Sequence, residues 1–261
     1  MPQIDINNHS CNYLLEDFGH AETLIFSNSL GTDLTLWDSV MPYIQDHFNV
    51  LRYDTRGHGK SSVGTDTEYT IEQLGQDVIA LLDHLKLDKV HFCGISMGGL
   101  IGQWLGINAS NRFENIVICD SAAKIGTVEG WNNRIKQVAV NGLESITDGT
   151  LERWFTPQFR EKHPEKAQNI INTFVSNPVQ GYVACCAAIR DADFTKQLHE
   201  LEVPTLVISG IKDEVTTVDD GSYFMKHIPV CSHIKLYAAH LSNIECDLEF
   251  SKHVAFFLMD H

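Results

Sequence analysis

The sequence predicts an α/β fold: a mostly parallel eight-stranded sheet, helices on both faces, and a helical cap inserted between two strands. Three observations predict it. Over residues 1–120, short apolar runs alternate with stretches of helical periodicity, and after the first two runs no hairpin turn separates them. From 121 to 201 the alternation stops and the texture is helical. Beyond that, two apolar runs and a final helical stretch resume the pattern. The length of 261 residues suits one large domain with an insertion. The expected division is a core of residues 1–120 and 202–261, with a cap of residues 121–201.

In chain order, alternating residues 3–7 and 11–16 predict an antiparallel hairpin, with Asn7-Asn8-His9-Ser10 as its turn. Thr23-Leu24-Ile25-Phe26 is the first buried strand. It runs into the polar loop Ser27-Asn28-Ser29-Leu30-Gly31-Thr32-Asp33, and a helix is expected over 34–43. Val50-Leu51-Arg52-Tyr53 is the next strand, followed by the glycine loop Asp54-Thr55-Arg56-Gly57-His58-Gly59-Lys60-Ser61. Gly59-Lys60-Ser61 is not a phosphate-binding P-loop, because Asp54 stands where the motif needs its first glycine. Residues 70–85 carry Ile71, Leu74, Val78, Leu81, Leu82 and Leu85 at helical spacing. Strands follow at 90–93 and 115–120, on either side of a small-residue helix after Gly98. The cap holds Trp131, Trp154, Phe155, Phe159, Phe174 and Tyr182, for which helix packing is the ordinary role. Strands at 205–208 and 233–237 and a helix over 248–259 close the chain.

Composition narrows the partners. Apolar residues make up 43 %, and no run approaches the roughly 20 residues that cross a bilayer. Met1-Pro2-Gln3-Ile4-Asp5 lacks a secretory pattern, so a cytoplasmic address is expected. Seven cysteines, odd in number and without C-x-x-C spacing, are expected as free thiols, not as a zinc or redox site. A formal net charge of −15 argues against nucleic acid and against an anionic membrane surface. It also means that an anionic substrate would need local arginines to overcome an unfavourable field.

The chemistry centres on Gly94-Ile95-Ser96-Met97-Gly98, which lies between the apolar run 90–93 and the small-residue run 99–106. Gly-x-Ser-x-Gly between a strand and a helix is the nucleophile elbow of an α/β hydrolase. A serine hydroxyl needs a base in contact and an acid that orients the base, in the chain order Ser, acid, His. Asp213, in Ser209-Gly210-Ile211-Lys212-Asp213 past a late strand, is the candidate acid; Glu214 fits less well, and Asp120, ending an earlier strand, is the rival. Among 13 histidines, only His240 sits just after the last strand, in Ala238-Ala239-His240-Leu241-Ser242-Asn243. It is the candidate base, while His58 and His91 read as structural or surface groups. The amides of Met97 and Leu30 are the candidate oxyanion donors. Many relatives carry His-Gly just before the second donor, where this chain has Asn28-Ser29.

The elbow, acid and base occupy three correctly ordered loops. The cap segments Gly130-Trp131-Asn132-Asn133-Arg134-Ile135, Ile146-Thr147-Asp148-Gly149-Thr150-Leu151-Glu152-Arg153-Trp154-Phe155 and Cys185-Cys186-Ala187-Ala188-Ile189-Arg190-Asp191 add to them. So do the loops 26–33, 54–59, 122–127 and 238–243. Together these resemble the 3-oxoadipate enol-lactonase family over nearly the whole chain. The resemblance implies hydrolysis of 3-oxoadipate enol-lactone to 3-oxoadipate, a late step of the β-ketoadipate route of aromatic compound breakdown, with no cofactor and no metal. It implies a small anionic lactone, whose carboxylate a guanidinium would grip. Arg134, three residues from Trp131 and so on the same helix face, is the leading candidate with Trp131 as an aromatic wall. Arg153, Arg190 and then Lys124 are the others. A general carboxylesterase or a cofactor-free perhydrolase on the same scaffold, and a non-catalytic receptor for small molecules, remain alternatives.

Overall fold

The computed structural model describes residues 1–260. Eight strands form one sheet in the order β1-β2-β4-β3-β5-β6-β7-β8. They are β1 (Gln3–Ile6), β2 (His9–Glu16), β3 (Thr23–Ser27), β4 (Asn49–Tyr53), β5 (Val90–Ile95), β6 (Phe113–Cys119), β7 (Thr205–Gly210) and β8 (Cys231–Leu236). The helices are α1 (Met41–Ile44), α2 (Ile71–Leu85), α3 (Met97–Asn108), α4 (Val128–Asn141), α5 (Thr147–Trp154), α6 (Pro157–Lys162), α7 (Pro164–Ser176), α8 (Val179–Asp191), α9 (Val218–His227), α10 (Ser242–Glu245) and α11 (Asp247–Met259).

The first two strands pair antiparallel through a two-residue turn in which Asn7 and Asn8 both take positive φ, 44° and 65°. That geometry matches the twist of the flanking strands, and asparagine tolerates it better than most residues. Strand β2 also meets β4 antiparallel, and all later pairings are parallel. Parallel strands with both faces covered should be apolar throughout, and Leu24, Ile25 and Phe26 of β3 are fully buried. Helix α2 buries Ile71, Leu74, Val78, Leu81 and Leu82 on one side, and Thr70 caps it by accepting from the Gln73 amide at 3.1 Å.

One expected helix is corrected. Residues 34–43 form a 3-10 turn (Leu34–Trp37) and then the short α1. Pro42 has no N–H to give to residue 38, so one continuous helix cannot pass through it.

Between β6 and β7 the chain forms α4 to α8 and no strand. All seven cysteines are free. No helix among the described residues is long and apolar enough to cross a membrane. The feature that positions the site is the strand order. Strand β3 has β4 on one side and β5 on the other, so the chain progression reverses there, and loops leaving β3 and β5 diverge at the carboxyl edge to leave a crevice.

Candidate active site

Ser96 stands at the reversal point. It follows β5, takes φ +56° and ψ −112°, and N-caps α3. A non-glycine residue in that region is strained, and the strain persists only because the surroundings fix it. The Ser96 amide donates to Cys119 O at 2.9 Å, and Ser121 Oγ donates to Ser96 O at 2.9 Å. The flanking glycines are sterically required. A Cβ on Gly98 would lie 2.3 Å from Ser27 O, and one on Gly94 would lie 2.2 Å from Gly98 O.

The three expected side chains converge. His240 Nε2 lies 2.8 Å from Ser96 Oγ, and His240 Nδ1 lies 2.7 Å from Asp213 Oδ2. Asp213 follows β7 and accepts from the Val215 amide at 2.7 Å, the Thr216 amide at 3.1 Å and Thr216 Oγ1 at 2.7 Å. These donors fix the carboxylate in the plane the imidazole needs. Burial pushes Asp213 up, but the His240 charge, its hydrogen bond and the Thr216 and Val215 donors outweigh burial and leave it below its ordinary value. Burial alone would lower His240; the Asp213 charge and hydrogen bond, with Asp120 behind them, hold it above its ordinary value.

Asp120, weighed as a rival acid, has a different place. Its carboxylate accepts from the Gly210 amide at 2.7 Å, the Ser242 amide at 3.2 Å and Ser242 Oγ at 2.5 Å. It thus ties the loop that carries the acid to the loop that carries the base. Burial, followed by the Asp213 charge, pushes Asp120 up to about 7.

The loop after β3 lies opposite. Asn28, where many relatives have histidine, is an internal strut. It donates from Nδ2 to Tyr53 O at 2.7 Å, accepts from Trp37 Nε1 at 2.8 Å, and through its carbonyl accepts the Gly98 amide at 3.1 Å. Leu30 lines the cleft beside Ser96. Among the described residues, neither the Leu30 nor the Met97 amide donates to a protein acceptor.

A cleft of about 330 Å³ opens above Ser96 and His240. The insertion supplies Trp131, Arg134, Thr150, Arg153, Trp154 and Tyr182 to its wall. Arg134 sits over the Trp131 ring, 5.3 Å from its centroid, and its Nη1 is 3.4 Å from Tyr182 Oη. Arg153 Nη2 lies 3.3 Å from Thr150 Oγ1. Among the described residues, neither guanidinium has a carboxylate within 4.0 Å. Burial, then the Arg134 charge, lowers Arg153. Two unpaired cations side by side are a configuration that a bound anion relieves.

Arg190, the remaining candidate, does not line the cleft; Glu68 and Asp191 take up its guanidinium, at 3.3 and 2.7 Å. Lys124 likewise pairs with Asp193 at 2.9 Å, and Glu214 lies on the cleft wall without touching His240. His58 and His91 are buried away from Ser96, and burial lowers both. Among the described residues no cluster of His, Cys, Asp or Glu is arranged to hold a metal ion. Sequence reasoning missed Thr216 and the Asp120–Ser242 tie. It read Tyr182 and Trp154 as packing, although each also faces the cleft.

A strained serine at a strand-to-helix turn, a histidine in contact with it and a carboxylate behind the histidine define an α/β hydrolase. The alpha/beta hydrolase fold family matches residues 22–244, and the chain belongs to it. It is 46 % identical over 230 residues to 3-oxoadipate enol-lactonase 2 of Acinetobacter baylyi, spanning 87 % of this chain and 86 % of that one. It is 44 % identical over 226 residues to 3-oxoadipate enol-lactonase 1 of the same organism, 87 % and 84 % of the two chains. The crystal structure of the enol-lactonase from Burkholderia xenovorans LB400 superposes with a TM-score of 0.96 at 39 % identity, over 99 % of this chain and 100 % of that one.

Proposed function

We propose that this protein hydrolyses 3-oxoadipate enol-lactone to 3-oxoadipate through an acyl-enzyme on Ser96, as a step in aromatic compound breakdown in the cytoplasm. The observation that carries the reading is the pair of carboxylate-free guanidiniums, Arg134 and Arg153, in the wall of the cleft above Ser96 in a chain of net charge −15. The names of the relatives above support the same substrate.

His240 Nε2 takes the Ser96 proton as Oγ attacks the ring carbonyl. The tetrahedral oxygen gathers negative charge, and the unpaired Met97 and Leu30 amides receive it. Collapse breaks the bond from carbonyl carbon to ring oxygen. The leaving group is an enolate, which is why the ester is activated, and the imidazolium returns the proton to it; the enol then becomes the ketone. Asp213 keeps Nδ1–H pointed at itself, so Nε2 is free to act as base, and it stabilises the imidazolium. In the second half, water gives its proton to His240 and attacks the acyl carbon. Ser96 Oγ leaves with that proton, and the diacid departs. Arg134 and Arg153 hold the carboxylate that does not react, with the lactone against Trp131.

Loss of the enol-lactone absorbance measures the reaction. Rapid turnover by the wild type and none by Ser96→Ala is the expected result. No turnover by the wild type would sink the substrate assignment, and undiminished turnover by Ser96→Ala the mechanism.

A further inference from the structure

We propose that Glu245 is a positioning residue that joins the anion grip of the insertion and the general base of the core into one mechanical unit. Glu245 Oε1 accepts from the Ala239 amide at 2.8 Å and from the Thr156 amide at 3.1 Å. Its Oε2 accepts from Thr156 Oγ1 at 2.6 Å. Ala239 immediately precedes His240, and Thr156 lies three residues after Arg153. Two direct bonds run beside this bridge. The His240 amide donates to Arg153 O at 3.4 Å, and the Leu241 amide donates to Trp154 O at 3.1 Å. Three consecutive amides of the base loop are therefore all spent on residues 153–156, one of them through the Glu245 carboxylate.

Arg153 and Trp154 both line the cleft, so the segment that would meet a substrate carboxylate is the segment that holds the backbone of His240. A ligand that settles Arg153 also settles the base. Without Glu245, the Ala239 and Thr156 amides lose their acceptor at the seam between insertion and core, and an unmatched buried amide drives the two backbones apart. The contribution is geometric. Burial, the Asp213 charge and hydrogen bond, Asp120 and Arg153 act on the His240 ring, whereas Glu245 bonds to the backbone amide of Ala239 before it. A glutamine in its place would offer its oxygen to the two amides and its NH2 to Thr156 Oγ1, keeping the bridge without the charge.

The inference rests on the reading that Arg153 meets the substrate carboxylate, and the test separates the two. Steady-state kinetics are measured with the enol-lactone and with neutral p-nitrophenyl acetate for Glu245→Gln, Glu245→Ala and Thr156→Val. Glu245→Gln is expected to stay close to wild type on both. Glu245→Ala should lose about tenfold to a hundredfold in kcat on both, the scale of a catalytic group displaced by a fraction of its bond length to its partner. Its KM should rise for the lactone alone. Thr156→Val, which removes only the hydroxyl arm, should move the same parameters by less, and it serves as the deciding variant where Glu245→Ala does not fold. Wild-type kcat and KM in the deciding variant, with only a lower melting temperature, would overturn the inference; so would Glu245→Gln as impaired as Glu245→Ala. A wild type that turns over the ester and not the lactone overturns the substrate reading, and the kcat change on the ester then still decides the role of Glu245.

Discussion

The sheet edge and the helical insertion face the same cleft in opposite states. At the sheet edge, Ser96, His240, Asp213 and Asp120 are joined to one another, to backbone amides or to the Ser242 hydroxyl by bonds of 2.5–3.2 Å. In the insertion, the hydrogen bonds of the Arg134 and Arg153 guanidiniums are long ones, to Tyr182 and Thr150 at 3.4 and 3.3 Å. One region is complete before anything binds, and the other is completed by what binds. Donors fixed in advance lower the reorganisation needed during the reaction, whereas unpaired cations select a ligand by its charge. Changes at the sheet edge should therefore alter kcat for any ester, and changes at the two arginines of the insertion should alter KM for anions.

The sharpest division comes from the nucleophile. Ser96→Ala and His240→Ala should each cost on the order of 10⁵ to 10⁶ in kcat, and the double variant no more than either, because the residues act as one unit. Additive losses, read from the absorbance of the lactone, would break the picture of a finished sheet edge. Next in size, Arg134→Ala and Arg153→Ala should each raise KM for the lactone about tenfold to a hundredfold, the worth of a hydrogen bond to a charged group. KM for p-nitrophenyl acetate should not change; an equal rise there would mean that the insertion recognises shape and not charge.

A smaller effect lies in the pH profile. With His240 as the proposed base, which must be neutral to accept a proton, kcat/KM should fall as pH drops through its raised value. Asp120→Asn removes a negative charge that favours the imidazolium, so the acidic limb should move to lower pH. An unmoved limb would confine Asp120 to tying the loops. The smallest effect is assigned to Arg190→Ala. Its guanidinium is spent on two exposed carboxylates, so thermal melts should register at most about 1 kcal/mol and kcat/KM should be unchanged.

The same division explains what could be read from the chain alone. Ser96, Asp213 and His240 were legible because each lies in the loop or turn that leaves a strand, and the order of strands orders the loops. The parallel sheet was legible because β3 and β5 are buried on both faces. Arg190 was not separable from Arg134, since which arginine finds a carboxylate depends on residues as distant as Glu68. Helix α9 left little trace, because only Gly221 and Phe224 are fully buried in it. Glu245 gave none: its three donors come from Thr156 and Ala239, and nothing local marks an acid at the end of a four-residue helix.

The proposed nucleophile Ser96 and base His240 stand 144 residues apart in the chain, and the loop bearing His240 leaves the edge strand β8. During synthesis the elbow emerges long before its histidine, so a nascent chain that has already buried β5 and α3 still carries an inert serine. Turnover begins only when β8 has docked beside β7. In refolding experiments the return of hydrolysis therefore cannot precede the docking of β8.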